Sequence, residues 1–323
     1  MKKKVAVLTG GFSGEAVIAE RSAAMVMNNI DRDRYEPVLY RITENDWHAQ
    51  WGDQKHPIDK NDFSVTAGNE TFHPDLAFIM IHGDPGENGI LQGYFELLGL
   101  PYTTGDVLNM SITFSKSATV RQLRQLGYTV AKGVVLEKGK AHAPAQIVND
   151  LGLPLFVKPN EGGSSIGMSK VSSSAELQPA IDRAFEEDDQ VLVEQFLEGR
   201  EVTCGVIPWE GGLKALPATE IITGNAFFDF AAKYEGESQE ITPADIPSEW
   251  MTSVQTTAMK IYGDLHCGGM IRVDYMIVGN QPHVIEVNTV PGFSEASIVP
   301  QQAAAIGISK TEVISALIEN ALS

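Results

Sequence analysis

The stretch from Met270 to Gly292 constrains the fold of this chain more than any other. Two largely apolar runs flank a Gly279-Asn280 pair, a pattern typical of two β-strands joined by a tight turn. Because side chains alternate along a strand, polar residues spaced two apart lie on one face. The sequence therefore predicts a hairpin with a polar face. The four residues of this face are Arg272, Asp274, Glu286 and Asn288.

The length of the connecting loop decides which of these side chains face each other. A two-residue turn would place Asp274 opposite Ile285. A loop with an odd number of residues, such as Gly279 to Gln281, would instead place Asp274 opposite Glu286. We expect the odd loop, which also pairs the other two polar residues.

Three of these side chains offer oxygen atoms on one sheet face. Such oxygens repel one another unless a hard cation lies among them, and these ligand types suit Mg²⁺ better than Zn²⁺. The alternative is an ordinary hairpin with a solvated polar face. Apolar neighbours and the abrupt end of the second strand at Pro291 favour the metal site. The predicted ligands are Asp274, Glu286 and Asn288.

Length, charge and cysteine usage limit the class of protein. A chain of 323 residues exceeds the usual size of one core, so two or three domains are expected. The formal net charge of -18 argues against nucleic acid and anionic membranes as partners. Cys204 and Cys267 lack metal-like spacing, which favours a reduced cytoplasmic setting. The first apolar run stops at Thr9, too early for a signal peptide or membrane span.

The N-terminal third alternates between apolar strands and glycine-rich loops. Val5 to Leu8 is a predicted strand, followed by a glycine-rich loop and a helix over about 16–29. Leu76 to Ile81 is a further strand that runs into a second glycine-rich loop, 82–89. The polar segment from Asn45 to Thr71 is predicted to be mainly loop. Ligands collect at the carboxyl ends of strands in open α/β sheets, so the two loops indicate a small-substrate site.

Two residues of these loops are candidates for that site. Glu15 is either a favourable charge in the first helical turn or a carboxylate that binds a substrate ammonium group. His82 is either a hydrogen-bonded structural histidine or a site residue. The residues alone leave both alternatives open.

The middle of the chain carries a candidate phosphate loop. The predicted strand Leu155–Pro159 contains Lys158 and runs into the glycine- and serine-rich segment 160–168, which would let a phosphate approach the backbone. A helix predicted from Asn109 to Leu126 contributes another basic residue, Lys116. Further on, the aromatic-rich segment 223–237 is predicted to be a lid over an active site.

Taken in chain order, these motifs resemble those of the D-alanine–D-alanine ligase family. Any one of them would be a weak signal, but the ordered set spans nearly the whole chain and is specific. The matched residues are Gly10-Gly11-x-Ser13-x-Glu15, His82-Gly83-x-x-Gly86-Glu87-x-Gly89-x-Leu91-Gln92-Gly93, Lys158-Pro159, Gly163-Ser164-Ser165-x-Gly167-Met168, Lys233-Tyr234, Arg272-x-Asp274 and Glu286-x-Asn288-Thr289-x-Pro291-Gly292.

The resemblance implies an α/β protein with the three-domain ATP-grasp fold. The implied domains are an N-terminal open parallel, Rossmann-like substrate domain over 1–104, a central ATP-grasp subdomain over 105–194, and a C-terminal subdomain over 195–323. The implied reaction uses ATP and two Mg²⁺ ions, for which Mn²⁺ can substitute, to join two D-alanines through a D-alanyl phosphate. A homodimer in the cytoplasm is also implied.

The resemblance further implies a role for each matched position. Asp274, Glu286 and Asn288 would bind the magnesium ions, with Glu286 bridging them. Glu15, helped by His82, would bind the ammonium group of the first D-alanine, and Ser297 the carboxylate of the second. Arg272 and the Gly292 N–H would stabilise the oxyanion, while Ser164 and Tyr234 would connect the lid to Glu15. The residues implied to contact ATP are Lys116, Lys158, Gly163, Ser164, Ser165, Glu194, Phe196, Leu197, Glu201 and Lys233.

Two departures from the family pattern and two alternative functions accompany this expectation. Ala16-Val17-Ile18-Ala19 replaces the Arg-Glu-Val-Ser of many relatives, and Glu161-Gly162-Gly163 stands where Arg-Glu-Gly is frequent. One alternative is a ligase with another second substrate, such as D-lactate, which Tyr234 in the lid argues against. The other is an ATP-binding regulatory module that has lost catalysis, which the occupied catalytic positions argue against.

Overall fold

The structure is a computed structural model that describes residues 2–163, 165–223 and 238–323. Within these ranges the chain forms three main β-sheets with helices packed against them, and a small two-stranded sheet. This α/β architecture agrees with the predicted fold class. The division into domains at residues 104 and 194 stays a prediction.

The first sheet is built from the N-terminal part of the chain, in the order β4-β3-β2-β1-β7. Strand β1 is parallel to both β2 and β7, whereas β3 and β4 extend the sheet as an antiparallel edge, so the expected open parallel sheet is in fact mixed. The elements of this part are β1 (Lys3–Gly10), α1 (Ala16–Asn29), β2 (Tyr35–Ile42), β3 (Trp47–Trp51), β4 (Gln54–Pro57), β5 (Val65–Ala67), β6 (Glu70–Phe72), β7 (Leu76–Ile79) and α2 (Ile90–Leu98).

The prediction of a mainly loop segment over 45–71 was therefore wrong. Strands β3 to β5 and the start of β6 lie within it. These strands are only three to five residues long, so each gives a weak signal in the sequence. Tertiary packing stabilises them: β3 pairs with β2, and Trp47 and Phe63 pack edge to face with 6.4 Å between ring centroids.

The second sheet is antiparallel throughout, in the order β10-β9-β11-β8. The predicted helix over 109–126 is two helices, because the chain is extended at Ser115, whose hydroxyl caps the second helix. The elements of this part are α3 (Val107–Phe114), α4 (Lys116–Gln125), β8 (Gly133–Glu137), α5 (Pro144–Leu151), β9 (Leu155–Pro159), β10 (Ser169–Val171), α6 (Ser174–Glu187) and β11 (Gln190–Gln195).

The third sheet follows the order β15-β14-β12-β16-β17, with β13 paired to β12. Its strands and the helices of the described C-terminal residues are β12 (Arg200–Trp209), β13 (Gly212–Ala215), β14 (Thr219–Thr223), β15 (Ser238–Ile241), α7 (Ser248–Asp264), β16 (Ile271–Val278), β17 (Gln281–Asn288), α8 (Ile298–Ala304) and α9 (Lys310–Ala321).

The β16–β17 hairpin has the expected pairing but not the expected loop. Asp274 faces Glu286, as predicted. However, Val278 pairs with Gln281, so the turn has only two residues. The register shifts between Asp274 and Tyr275, where a β-bulge leaves Ile285 without a partner in the ladder. The bulge supplies the one-residue offset that we had assigned to the loop.

One hydrophobic core joins the two ends of the chain. Side chains of β1 and α1 share a buried cluster with Val290, Phe293 and the apolar residues of α9, including Val313 and Leu317. Helix α9 begins with a capping box formed by Ser309 and Glu312. This packing brings the segment that follows β17 against the N-terminal sheet, next to the loops after β1 and β7.

Candidate active site

A single cavity of about 720 Å³ lies between the three sheets. Every predicted site residue within the described ranges contributes to its lining, whereas Ser164, Lys233 and Tyr234 lie outside those ranges. The predicted residues around the cavity are Glu15, His82, Lys116, Lys158, Gly163, Ser165, Glu194, Phe196, Leu197, Glu201, Arg272, Asp274, Glu286, Asn288, Gly292 and Ser297.

Glu15 lies between two glycine-rich loops at one end of the cavity. A Cβ atom at Gly163 would lie 2.5 Å from Glu15 Oε1, and a Cβ at Gly83 would lie 3.0 Å from Glu15 Oε2. Both glycines therefore allow their backbones to approach the carboxylate more closely than any other residue could. The phosphate loop after β9 thus meets the loop after β1 at this carboxylate.

His82 contacts the protein through both ring nitrogens. Nδ1 lies 2.7 Å from the carbonyl oxygen of Val290, and Nε2 lies 3.0 Å from Ser22 Oγ. Burial lowers the pKa of His82, so the neutral ring is favoured. Both ring nitrogens of His82 thus contact protein atoms, and its expected help to Glu15 in substrate binding stays a prediction.

Glu87 also lines the cavity but was not among the predicted residues. Its Oε2 accepts a hydrogen bond from Gly83 N at 2.7 Å, and its Oε1 accepts one from Val290 N at 3.1 Å. Burial raises the pKa of Glu87 to about 8, and the nearby Glu15 carboxylate acts in the same direction. One sequence signal could have identified Glu87 as a site residue: it lies in the same glycine-rich loop as His82.

Arg272 forms a two-point ion pair with Asp274. Arg272 Nε and Nη2 each donate to one carboxylate oxygen at 2.8 Å. Thr203 Oγ1 donates to Asp274 Oδ1 at 2.5 Å, and Asn288 Nδ2 donates to Oδ2 at 3.1 Å. Both oxygens of this buried carboxylate thus accept two hydrogen bonds each, and the negative charge is well compensated.

This face of the hairpin meets the chemical requirements of a hard cation only in part. Asp274 and Glu286 are cross-strand neighbours at the cavity, and Asn288 follows two positions after Glu286, so oxygen donors are close together. A cation at Asp274 would have to displace Arg272 from it. Among residues 2–163, 165–223 and 238–323, no three His, Cys, Asp or Glu side chains are clustered as a metal site.

The far end of the cavity contains a buried ion pair between neighbouring strands. Lys158 Nζ of β9 lies 2.6 Å from Glu194 Oε2 of β11, and both side chains are almost fully buried. Beside them, the rings of Phe156 and Phe196 have centroids 6.3 Å apart, and Lys170 Nζ lies 3.9 Å from the Phe196 centroid. This end combines a positive charge with flat apolar surfaces, which suits a nucleotide.

Lys116 begins helix α4 and also lines the cavity. Its Nζ donates to the carbonyl oxygen of Gly162 at 2.5 Å. The buried side chain of Asn160 ties the helix to the phosphate loop, because its Oδ1 accepts from Ser117 N at 2.9 Å and its Nδ2 donates to Ser115 Oγ at 3.0 Å. Asn160 was not predicted as a site residue. Isolated asparagines after a strand give no sequence signal for such contacts.

The segment after β17 completes the cavity opposite Glu15. A Cβ atom at Gly292 would lie 2.9 Å from Ser297 Oγ, so these two residues are in close contact. Ser297 Oγ accepts a hydrogen bond from Ser294 N at 2.8 Å and precedes helix α8. The cavity lining therefore combines carboxylates, backbone N–H groups, lysines and Arg272. Such an arrangement can bind and activate anionic groups.

No helix within the described residues has the length and apolar character needed to span a membrane.

Comparisons with known proteins identify relatives along the whole chain. A family model described as D-ala D-ala ligase N-terminus matches residues 4–105, and one described as D-ala D-ala ligase C-terminus matches residues 122–319. A protein named D-alanine–D-alanine ligase from Phocaeicola vulgatus is 43% identical over 322 residues, covering 99% of each chain.

Solved structures give the same result for the fold. The VanG D-Ala:D-Ser ligase from Enterococcus faecalis superimposes with a TM-score of 0.89 at 31% identity, covering 99% of each chain. A D-alanine–D-alanine ligase from Bacillus anthracis, solved in complex with ATP, superimposes with a TM-score of 0.80 at 29% identity, covering 99% of this chain and 97% of that one.

Proposed function

Because the chain belongs to the D-alanine–D-alanine ligase family, we propose that it joins two D-alanine molecules into D-alanyl-D-alanine for peptidoglycan precursor synthesis. One ATP is converted to ADP and phosphate in each reaction. The observation that carries the proposal is the cavity itself, in which the carboxylate of Glu15, the guanidinium of Arg272 and the lysine-rich nucleotide end share one space.

The proposed reaction has two steps. A carboxylate oxygen of the first D-alanine attacks the γ-phosphorus of ATP, the P–O bond to ADP breaks, and ADP leaves. The amine nitrogen of the second D-alanine then attacks the acyl carbon and loses a proton, while the C–O bond breaks and phosphate leaves with the electron pair. The first step is needed because oxide is a far poorer leaving group than phosphate.

At the substrate end, Glu15 would bind the ammonium group of the first D-alanine, since its carboxylate faces the cavity. Arg272 and the Gly292 N–H would stabilise the negative charge on the oxygen of the tetrahedral intermediate. Ser297, in contact with Gly292, would help to bind the carboxylate of the second D-alanine. His82 would support the site through the position of its loop rather than through a free ring nitrogen.

At the nucleotide end, two lysines would compensate the phosphate charges, and the strand-edge residues after β11 would bind the base. These assignments are supported by the burial of Lys158 and Glu194 at the cavity wall and by the glycine-rich backbone of the neighbouring loop. The proposed ATP contacts are Lys116, Lys158, Gly163, Ser165, Glu194, Phe196, Leu197 and Glu201. Ser164, Lys233 and Tyr234 complete the proposal but lie outside the described residues.

Asp274, Glu286 and Asn288 would hold the two Mg²⁺ ions, or Mn²⁺ in their place. Bound there, the ions would supply charge neutralisation for the phosphate oxygens. The oxygen donors of the three side chains and their common face support this assignment. The assignment requires that the ion pair between Arg272 and Asp274 break. The guanidinium would then be able to bind the reacting carboxyl group.

We also propose a homodimer in the cytoplasm. The two cysteines are free, which supports a reducing compartment. Helices α2 and α3 expose Ile90, Leu97 and Leu108, and Leu97 is 88% exposed. Light scattering should therefore give twice the chain mass, and Leu97→Asp should shift the protein toward the monomer. A monomeric wild-type protein would contradict this part of the proposal.

The deciding experiment measures ADP release with ATP, Mg²⁺ and D-alanine, with the product identified by mass. D-Alanyl-D-alanine is the expected product, and no release with L-alanine is expected. The likeness to a D-Ala:D-Ser ligase favours D-serine as the second substrate to compare. If D-alanyl-D-serine were formed preferentially, or if ADP appeared without dipeptide, the D-alanine assignment would fall.

A further inference from the structure

The segment from Val290 to Phe293 follows β17 and is fastened by residues that precede it by 203 to 271 positions. The Val290 N–H donates to Glu87 Oε1 at 3.1 Å, and the Val290 carbonyl oxygen lies 2.7 Å from His82 Nδ1. The Phe293 N–H donates to Ser22 Oγ at 3.1 Å. Gly292 thus lies between two anchored residues, and all three anchors come from the N-terminal sheet region.

Glu87 links this segment to the loop after β7 through both of its carboxyl oxygens. It is a partly buried carboxyl group whose two oxygens accept from different parts of the chain: Gly83 N in its own loop and Val290 N in the segment after β17. Burying a carboxyl group is costly unless its oxygens accept hydrogen bonds, so both bonds should persist. Glu87 therefore fixes the distance between the loop after β7 and the segment after β17.

We infer that Glu87 is a positioning residue that holds the Gly292 N–H in place for the reaction by anchoring the Val290 N–H. The inference rests on the proposed function, in which the Gly292 N–H binds the reacting oxygen. Donors of this kind work only when they are fixed before the reaction begins, and a displacement of about 1 Å can cost on the order of 100-fold in rate.

The test uses Glu87→Met, which removes both acceptor oxygens at similar volume, and Glu87→Gln, which keeps one. The matched control is Glu96→Gln, because Glu96 lies in the adjacent helix α2 and outside the cavity lining, where it accepts a hydrogen bond from Tyr102. Each protein is assayed for dipeptide formation, for the KM values of ATP and D-alanine, and for hydrogen exchange of peptides covering residues 290–293 and β1.

We expect Glu87→Met to lower kcat on the order of 100-fold with the KM of ATP changed less than about twofold. Glu87→Gln should fall between Glu87→Met and the wild-type protein, and Glu96→Gln should match the wild type. Amide exchange should become faster in the 290–293 peptide of the Glu87 variants and stay unchanged in β1. This pattern would separate positioning from loss of fold.

Two results would overturn the inference. One is wild-type exchange at 290–293 together with wild-type kcat in Glu87→Met. The other is faster exchange in β1 and in 290–293 alike, because Glu87 would then support the whole fold. If Glu87→Met does not fold, Glu87→Gln and Ser22→Ala, which removes the acceptor of Phe293 N–H, give the same exchange readout. If the wild-type protein makes no dipeptide, the proposed function fails, and the exchange data still decide whether Glu87 holds the segment.

Discussion

The two ends of the cavity are stabilised by different kinds of contact. At the substrate end, a partly buried side chain is satisfied by backbone groups, as when Glu87 accepts from Gly83 N and Val290 N. At the nucleotide end, the cations are bound to acceptors of the protein itself: Lys158 to Glu194, and Lys116 to the carbonyl oxygen of Gly162.

This difference has a consequence for ligand binding. At the substrate end, a ligand can bind without breaking the backbone hydrogen bonds that shape the site. At the nucleotide end, a phosphate has to replace the protein groups that the lysines already contact, so binding there includes an exchange of contacts. Arg272 also has to exchange a contact before it can bind a ligand, because its guanidinium is paired with Asp274.

The largest effect is expected for Arg272→Ala, which removes a cation of the cavity lining that would face the reacting oxygen. Loss of such a group typically lowers kcat by about 10²- to 10³-fold. Affinity for ATP should change little, since the lysines of the nucleotide end remain. Dipeptide formation and nucleotide binding by calorimetry would be measured side by side. Wild-type turnover in Arg272→Ala would refute its assigned role.

The next largest effect tests the buried ion pair of the nucleotide end. Lys158→Met would leave Glu194 buried without its partner, which costs about 3–5 kcal/mol of unfolding free energy. The double variant Lys158→Met/Glu194→Leu should regain most of that stability, because a well-packed apolar pair is often as stable as the ion pair. Denaturant unfolding measures both variants.

ATP binding separates the two roles of the pair. It should be lost in Lys158→Met and should not return in the double variant, although stability does. If ATP affinity recovered together with stability, Lys158 would be a structural residue rather than a phosphate ligand, and the contrast between the two ends would disappear.

The sequence predicted the components of the site better than their contacts. The polar face of the hairpin, the strand with Lys158 and the glycine-rich loops all follow from residue type and local period, because each depends on neighbours in sequence. The pairing of Asp274 with Glu286 was also expected, although the bulge at Ile285 produces it. A bulge is chosen by packing on both faces of a sheet, which no short-range pattern reports.

Contacts between distant parts of the chain could not be predicted either, because short-range patterns do not report tertiary packing. Glu87 bonds to a residue 203 positions later, and His82 to one 208 positions later. A loop motif shows that these side chains are near a strand end, but not which backbone group they will meet. The short strands β3 to β5 were missed because their stability comes from tertiary contacts: β3 pairs with β2, β4 with β3 and β5 with β6, and aromatic side chains pack against them.

A smaller effect, confined to the substrate end, is expected from Gly163→Ala. The new Cβ would lie 2.5 Å from Glu15 Oε1, so the carboxylate has to move. We expect the KM of D-alanine to rise about tenfold, equivalent to about 1.4 kcal/mol, with the KM of ATP less affected. Gly14→Ala is the matched control, because a Cβ there meets no atom within 4 Å. Equal KM values for the two variants would contradict the close approach of the loops.

The smallest effect concerns Asn160, which fastens helix α4 to the phosphate loop. Asn160→Ala removes the acceptor of Ser117 N and the donor to Ser115 Oγ, so Lys116 would be less firmly placed. A hydrogen bond of this kind contributes about 1 kcal/mol, which corresponds to about a fivefold rise in the KM of ATP.

The matched control for Asn160→Ala is Asn109→Ala. Asn109 is equally buried, 2% exposed like Asn160, but it donates to Leu265 O, outside the cavity lining. Both variants should lose similar unfolding free energy, and only Asn160→Ala should weaken ATP binding. A similar rise in KM for both would mean that general loosening, rather than the placement of Lys116, sets nucleotide affinity. The nucleotide end would then depend on the fold as a whole, as the substrate end depends on its backbone hydrogen bonds.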